Sequence, residues 1–148
     1  NPWVSYNAND IDGDGHHDMI VDRLQNKKNK DFGLQILWGS DQGLFNRTKV
    51  TQVKSNELGK KDFLMDSIAV NKGETTDIYA TFAADSYRAG SKIVKYTFKG
   101  RTQINEVLIA SGTFKTSSWI NTVYPCKSGL KMFVMAGSGS NSMTDQMR

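Results

Sequence analysis

The sequence predicts an all-β chain, and three observations support this prediction. Apolar residues do not recur at helical spacing over any sustained stretch of the 148 residues. Short runs of β-branched and aromatic residues recur instead, separated by clusters of Gly, Asn, Asp and Ser. Several runs alternate, as residues 93–98 (Ile-Val-Lys-Tyr-Thr-Phe) do, with the two-residue period of a strand that has one buried face.

Ten strands follow from these runs, each with β-branched or aromatic residues in its body and turn residues at its ends. In chain order the predicted strands are Trp3–Asn7, Met19–Leu24, Gly33–Trp38, Thr48–Val53, Phe63–Val70, Ile78–Ala83, Lys92–Phe98, Asn105–Ala110, Trp119–Tyr124 and Leu130–Ala136.

Composition and charge exclude several classes of protein. Apolar residues make up 38% of the chain and aromatic residues 10%, which argues against disorder. The longest apolar runs, 107–110 and 132–136, fall far short of the ~20 residues of a membrane-spanning helix. The net charge of +4 comes from scattered residues rather than a basic stripe with interleaved aromatics, so no nucleic-acid partner is predicted. The single cysteine, Cys126, rules out a disulfide framework within the chain.

An internal repeat organises the predicted strands. Residues 18–21 (Asp-Met-Ile-Val) return as residues 77–80 (Asp-Ile-Tyr-Ala), 59 positions later. The segment that begins at Trp3 is echoed at Trp119, 116 positions later, which is twice 58. The two anchors agree on a period of 58–59 residues, so the strands divide into groups of four, four and two.

A repeated four-stranded unit of this length suggests a blade of a β-propeller. The chain holds about two and a half such units, whereas closed propellers have ~4–8 blades. We therefore expect part of a larger propeller whose remaining blades lie in the same or another chain. The expected division is 1–58 for a first blade with a metal loop, 59–116 for a degenerate second blade, and 117–148 for a partial third blade and a flexible tail. A compact antiparallel β-sandwich is the alternative fold.

The strongest local motif is the stretch 10–18, Asp-Ile-Asp-Gly-Asp-Gly-His-His-Asp. Acids stand at positions 1, 3, 5 and 9 of this loop, with glycine at position 6, a spacing that wraps oxygen ligands around a hard cation. An EF-hand would need a glutamate at position 12, where this chain has Val21, so an EF-hand is excluded. A metal-free Asp/Gly-rich surface turn is the simpler interpretation that competes with the metal site.

Residues 10–21 resemble the calcium loop of FG-GAP or VCBS-type propeller repeats, which occur in integrin α-subunits and in many bacterial secreted proteins. Residues 33–45 resemble the strand and glycine-containing hairpin that follow that loop. The likeness implies a calcium ion, an extracellular or cell-surface location, four carboxylate ligands and one backbone carbonyl ligand. These ligands would be Asp10, Asp12, Asp14 and Asp18 by side chain and His16 by its carbonyl. Residues 71–77 keep the final aspartate, Asp77, but lack the acidic series, so calcium is not expected in the second repeat.

No catalytic constellation is predicted. Residues 1–148 contain no GxSxG elbow, HExxH helix or Walker loop. The tryptophans Trp3, Trp38 and Trp119 favour core packing over a sugar-stacking role, because they recur at matching repeat positions. The sequence thus favours a non-catalytic extracellular binding or adhesion module that contacts a protein or glycan. The alternative is the propeller part of a secreted polysaccharide-active enzyme or toxin whose catalytic residues lie outside this chain.

Overall fold

A computed structural model describes residues 4–22, 33–42, 49–59, 62–84, 91–112, 117–126 and 129–137. Within these ranges the chain forms β-strands and turns and no helix, so it contains no helix that could cross a membrane. The ten strands are β1 (Val4–Asn9), β2 (Asp18–Asp22), β3 (Gly33–Leu37), β4 (Val50–Lys54), β5 (Asp62–Asn71), β6 (Thr76–Ala84), β7 (Ser91–Lys99), β8 (Thr102–Gly112), β9 (Ser117–Cys126) and β10 (Gly129–Gly137). Each overlaps a strand predicted from the sequence, which confirms the all-β prediction.

The strands form three antiparallel sheets, and within each sheet the paired strands are consecutive along the chain. The first sheet has the order β1-β2-β3-β4, the second has the order β5-β6-β7-β8, and β9 pairs with β10. The grouping of four, four and two is the one that the sequence predicts. Short connections between consecutive strands suffice because antiparallel neighbours need only a turn.

One apolar core joins the first sheet to the second. Alternation along each strand sends every second side chain to the same face, so a face of each sheet is apolar. Each Val, Leu, Ile or Phe side chain buried in this core contributes about 1.5–3 kcal/mol relative to leaving it in water. The core consists of Ile11, Ile20, Leu34, Ile36, Trp38, Val53 and Leu58 from residues 11–58, and of Leu64, Ile78, Ala80, Phe82, Val94, Tyr96 and Phe98 from the second sheet.

Contacts between sheets follow the order of the chain. Strand β5 contacts β1, β2 and β3 of the first sheet, and β9 lies against β5 and β6. The structure therefore shows antiparallel sheets packed on one another, an arrangement that adjacent propeller blades and a β-sandwich share. Trp3, which begins the first copy of one repeated segment, lies outside the described residues. Residues 138–148 of the predicted tail also lie outside them.

Because consecutive antiparallel strands reverse direction, the β1–β2 loop lies at the same end of the first sheet as the last residues of β3 and the first residues of β4. The β5–β6 and β7–β8 connections likewise share one end of the second sheet. A side-chain contact between Arg101 of the β7–β8 turn and Asp12 of the β1–β2 loop brings these two ends together. The described residues at these ends of the two sheets thus form one rim, and the acidic loop lies on it.

Candidate metal centre

The acidic loop connects β1 to β2, and its backbone turns around its first carboxylate. Asp10 accepts hydrogen bonds from the N–H groups of Gly13 at 2.7 Å, Asp14 at 3.1 Å and Gly15 at 2.9 Å. Gly15, at loop position 6, has a φ of +88°, a conformation that costs glycine little and other residues more. The sequence of the loop therefore fixes both the turn and the orientation of Asp10.

Asp18 closes the loop at the first residue of β2, and it is 1% exposed. Its two oxygens accept hydrogen bonds from Ile11 N–H at 2.7 Å and from Gly39 N–H at 2.8 Å. Gly39 follows β3, and a Cβ there would lie 2.2 Å from the carbonyl oxygen of His17, so only glycine allows this approach. One buried carboxylate thus ties the loop to the end of the neighbouring strand.

Burial raises the pKa of Asp18 above its usual value, and the negative charges of Asp12 and Asp14 act in the same direction. The hydrogen bonds from Gly39 and Ile11 oppose that rise without cancelling it. A carboxylate in this position is costly as an anion unless a cation compensates it.

Three of the predicted ligands converge. Asp10, Asp12 and Asp18 each place one carboxylate oxygen within 4.8 Å of the others. Oxygens bound to one calcium ion are separated by at most ~5 Å, because each Ca–O bond is ~2.3–2.6 Å long. The donor set is made of hard carboxylate oxygens, so both its spacing and its chemistry fit calcium.

Asp14 and His16 have other contacts. Asp14 is not one of the three converging carboxylates, and its Oδ1 accepts the N–H of His16 at 2.9 Å. That hydrogen bond is the main reason why the pKa of Asp14 is lowered, and the positive charge of Arg101 contributes. The roles of Asp14 as a fourth carboxylate ligand and of His16 as a carbonyl ligand stay predictions.

Arg101, which sequence reasoning missed, lies at the same site. Its Nε donates to Asp12 Oδ2 at 2.5 Å, and its Nη2 donates to Asp14 Oδ2 at 3.3 Å. Its guanidinium carbon is 5.1 Å from the ring centroid of Trp38, within the range of a cation–π contact. Nothing in the local sequence marks this residue as part of the site, because it follows Asp12 by 89 positions.

Trp38 is 2% exposed and belongs to the core, which confirms the core-packing prediction for this tryptophan. Its indole N–H donates to Thr51 Oγ1 at 2.8 Å, and its backbone N–H donates to the carbonyl of Lys49 at 3.1 Å. Trp3 and the side chain of Trp119 lie outside the described part of the chain.

At the equivalent place in the second sheet, a lysine rather than a cluster of acids lies beside the buried aspartate. Asp77, the repeat counterpart of Asp18, is 3% exposed, and its Oδ2 lies 2.5 Å from the ammonium nitrogen of Lys72. Thr97 Oγ1 donates to the other oxygen of Asp77 at 2.7 Å. A lysine therefore supplies the positive charge at this loop, where the sequence has no acidic series.

Comparison of the chain with family models, with curated proteins and with solved structures finds no match.

Proposed function

We propose that the chain is a calcium-stabilised segment of a β-propeller that serves as a non-catalytic extracellular module for binding or adhesion to a protein or glycan. The observation that carries the proposal is the convergence of Asp10, Asp12 and Asp18 at the end of the first sheet.

Charge balance supports a bound cation. Four aspartates, including the buried Asp18, lie in one nine-residue loop, and the guanidinium of Arg101 balances only part of their charge. Because the pKa of Asp18 is raised in the folded chain, its ionised form costs stability at neutral pH, and protonation would relieve that cost. A divalent cation relieves the same cost without a drop in pH.

Strand register supports the propeller. All four residue pairs between β2 and β3 reappear between β6 and β7 when 59 is added to both numbers, so Met19 opposite Leu37 corresponds to Ile78 opposite Tyr96. The first strands of successive sheets are also neighbours, since β1 contacts β5 and β5 contacts β9. Equal register and adjacent first strands are what a ring of repeated four-stranded blades requires.

The rim supports a binding role. The acidic loop shares this rim with exposed polar residues at the other strand ends and turns, among them Asp41, Gln42, Lys72, Glu74 and Lys99. Loops on a rigid β-scaffold are a common place for binding residues. A cation that joins Asp10, Asp12 and Asp18 fixes one of these loops and so reduces the ordering cost of binding a ligand there.

Thermal unfolding in calcium and in EDTA tests the metal assignment. A cation present at about 100 times its dissociation constant adds ~2.7 kcal/mol of stability. For a chain of this length that corresponds to a Tm increase of about 5–11 °C. We expect this increase for the wild type and its loss in the double variant Asp10→Asn/Asp12→Asn. Asp41→Asn removes an exposed acid from the same rim and should keep the full increase.

An equal calcium effect in the double variant, or none in the wild type, would contradict the metal assignment.

The binding role is tested by screening immobilised glycans and extracellular-matrix proteins with and without EDTA. We expect ligand binding that disappears with EDTA and in the double variant. Hydrolase or lyase activity of the whole parent protein on polysaccharides would instead favour the enzyme alternative.

A further inference from the structure

Arg101 connects the second sheet to the acidic loop of the first. Its Nε and Nη2 contact Asp12 and Asp14, one oxygen of each, and both acids were predicted as metal ligands. The side chain of Asp12 is 6% exposed, whereas that of Asp14 is 35% exposed and that of Arg101 is 42% exposed. In the contact with Asp12 the carboxylate is therefore largely buried, whereas the guanidinium remains partly exposed to water.

The guanidinium is held on a fixed support. It lies over the ring of Trp38, which is buried and anchored by its hydrogen bond to Thr51. The turn that carries Arg101 joins β7 to β8, and β7 contributes Val94, Tyr96 and Phe98 to the shared core. Arg101 is thus positioned by packing on both sheets rather than by the acids alone.

Arg101 contacts carboxylates that a divalent cation bound to the loop would also contact. Asp12 is one of the three converging ligands, and it already gives one oxygen to Arg101. Asp14 lies outside that group, with its Oδ2 against the guanidinium. For Asp14 to become a fourth ligand, it must leave Arg101.

We infer that Arg101 is the internal competitor of the cation: its guanidinium holds Asp12 and Asp14 in the metal-free loop, and a divalent cation displaces it from them. This inference rests on the calcium binding proposed above. Metal occupancy is thereby coupled to a contact between the two sheets. Coupling is reciprocal, so a cation that weakens the hold of Arg101 on the loop is itself bound more weakly because Arg101 is present.

The size of the effect follows from the contacts that the cation must break. Displacement separates the guanidinium from one oxygen of Asp12 and one oxygen of Asp14, and both ion pairs are partly exposed to water. Two charge-assisted contacts of this kind together correspond to about a tenfold change in affinity. Removing the charge of Arg101 should therefore lower the calcium dissociation constant by about tenfold.

The test compares Arg101→Gln with Lys99→Gln, which removes a positive charge from the same hairpin. Lys99 is a matched control because it is 67% exposed and its ammonium nitrogen is 3.9 Å from a carboxylate oxygen of Glu74. Both variants are made in the full chain with Trp3→Phe and Trp119→Phe, so that Trp38 is the one remaining tryptophan of the three. Calcium affinity is measured by isothermal titration calorimetry, and Trp38 emission is followed during the same titration.

We expect calcium to change Trp38 emission in the parent and in Lys99→Gln, as the guanidinium leaves the ring. In Arg101→Gln we expect about tenfold tighter binding and no such emission change. Calcium binding by Arg101→Gln alone would also support the competition. Equal or weaker affinity in Arg101→Gln than in Lys99→Gln, with clear binding by the parent, would overturn this inference and leave the metal site standing. Absence of binding in every variant would overturn the proposed function and the inference together.

A second variant covers the case in which Arg101→Gln does not fold. Arg101→Lys keeps the charge and loses the planar fork that reaches two carboxylates at once. We expect it to bind calcium within about threefold of the parent, since the Coulombic part dominates. A tenfold gain in Arg101→Lys would show that charge is not the cause and would contradict the competition as stated.

Discussion

Replacing Gly39 by alanine tests the packing that holds the buried end of the acidic loop. A Cβ at this position would lie 2.2 Å from the carbonyl oxygen of His17 and 3.2 Å from the Cβ of His16. The two segments must separate by about 1 Å or more to reach an ordinary contact distance of ~3.5 Å. The Gly39 N–H that donates to Asp18 at 2.8 Å moves away with its residue.

The cost has two parts. Forcing an extra methyl group into a packed site costs about 1–3 kcal/mol. Losing a hydrogen bond to a charged, buried carboxylate costs about 1.5–3 kcal/mol. We therefore expect Gly39→Ala to lower the free energy of unfolding by about 3–5 kcal/mol, which is a large part of the ~5–15 kcal/mol of a typical domain.

Urea unfolding of Gly39→Ala beside Gly59→Ala measures this difference. A Cβ on Gly59 would meet its nearest atom, Asp62 Oδ2, at 3.7 Å, an ordinary contact. The control should be unchanged or more stable by up to ~1 kcal/mol, because alanine restricts the unfolded chain. A loss of less than about 1 kcal/mol in Gly39→Ala relative to Gly59→Ala would refute the reasoning.

Three further predictions concern the second sheet. Lys72→Met should cost about 1–2 kcal/mol in urea unfolding, less than a fully buried pair would, because the lysine is 45% exposed; no loss would contradict the role of its charge. Burial alone would raise the pKa of Asp77, but the hydrogen bonds from Lys72 and Thr97 lower it below 3.8. The stability that this pair contributes is therefore present above about pH 4 and is lost as the pH falls through the lowered pKa. In an acid titration followed by circular dichroism, Lys72→Met should lose stability at a higher pH than the wild type; coincident curves would exclude the pairing. Phe82→Ala, at a side chain 1% exposed, should cost about 3–5 kcal/mol, whereas Ile109→Ala, 45% exposed, should change the free energy of unfolding by about 0.5 kcal/mol or less; similar losses in urea would contradict the placement of the core.

The strands could be predicted from the sequence because their signals are local. Alternation and turn residues act over a few positions, as in residues 93–98, and β7 is found there. The acids of the acidic loop can be recognised for the same reason, since Asp10 and Asp18 belong to one nine-residue stretch. The tight approach of Gly39 to His17 was not visible, because it depends on how two strands end beside each other.

The side-chain contacts between distant segments of the chain could not be predicted from the sequence. Arg101 reaches Asp12 across 89 positions, and no sequence pattern links a single arginine after a turn to an acidic loop. The ion pair between Lys72 and Asp77 could not be predicted either. Residues 71–77 show that an acidic series is missing, but only the fold shows which positively charged side chain lies beside Asp77. Pairing of single charges depends on three-dimensional position, whereas spacing within a loop does not.

A crystal structure of the chain grown with calcium tests the central claim most directly. We predict a calcium peak ~2.3–2.6 Å from carboxylate oxygens of Asp10, Asp12 and Asp18, with Asp14 turned away from Arg101 toward the ion. A structure at millimolar calcium with no ion among Asp10, Asp12 and Asp18, and with Arg101 still bound to Asp12 and Asp14, would contradict the account.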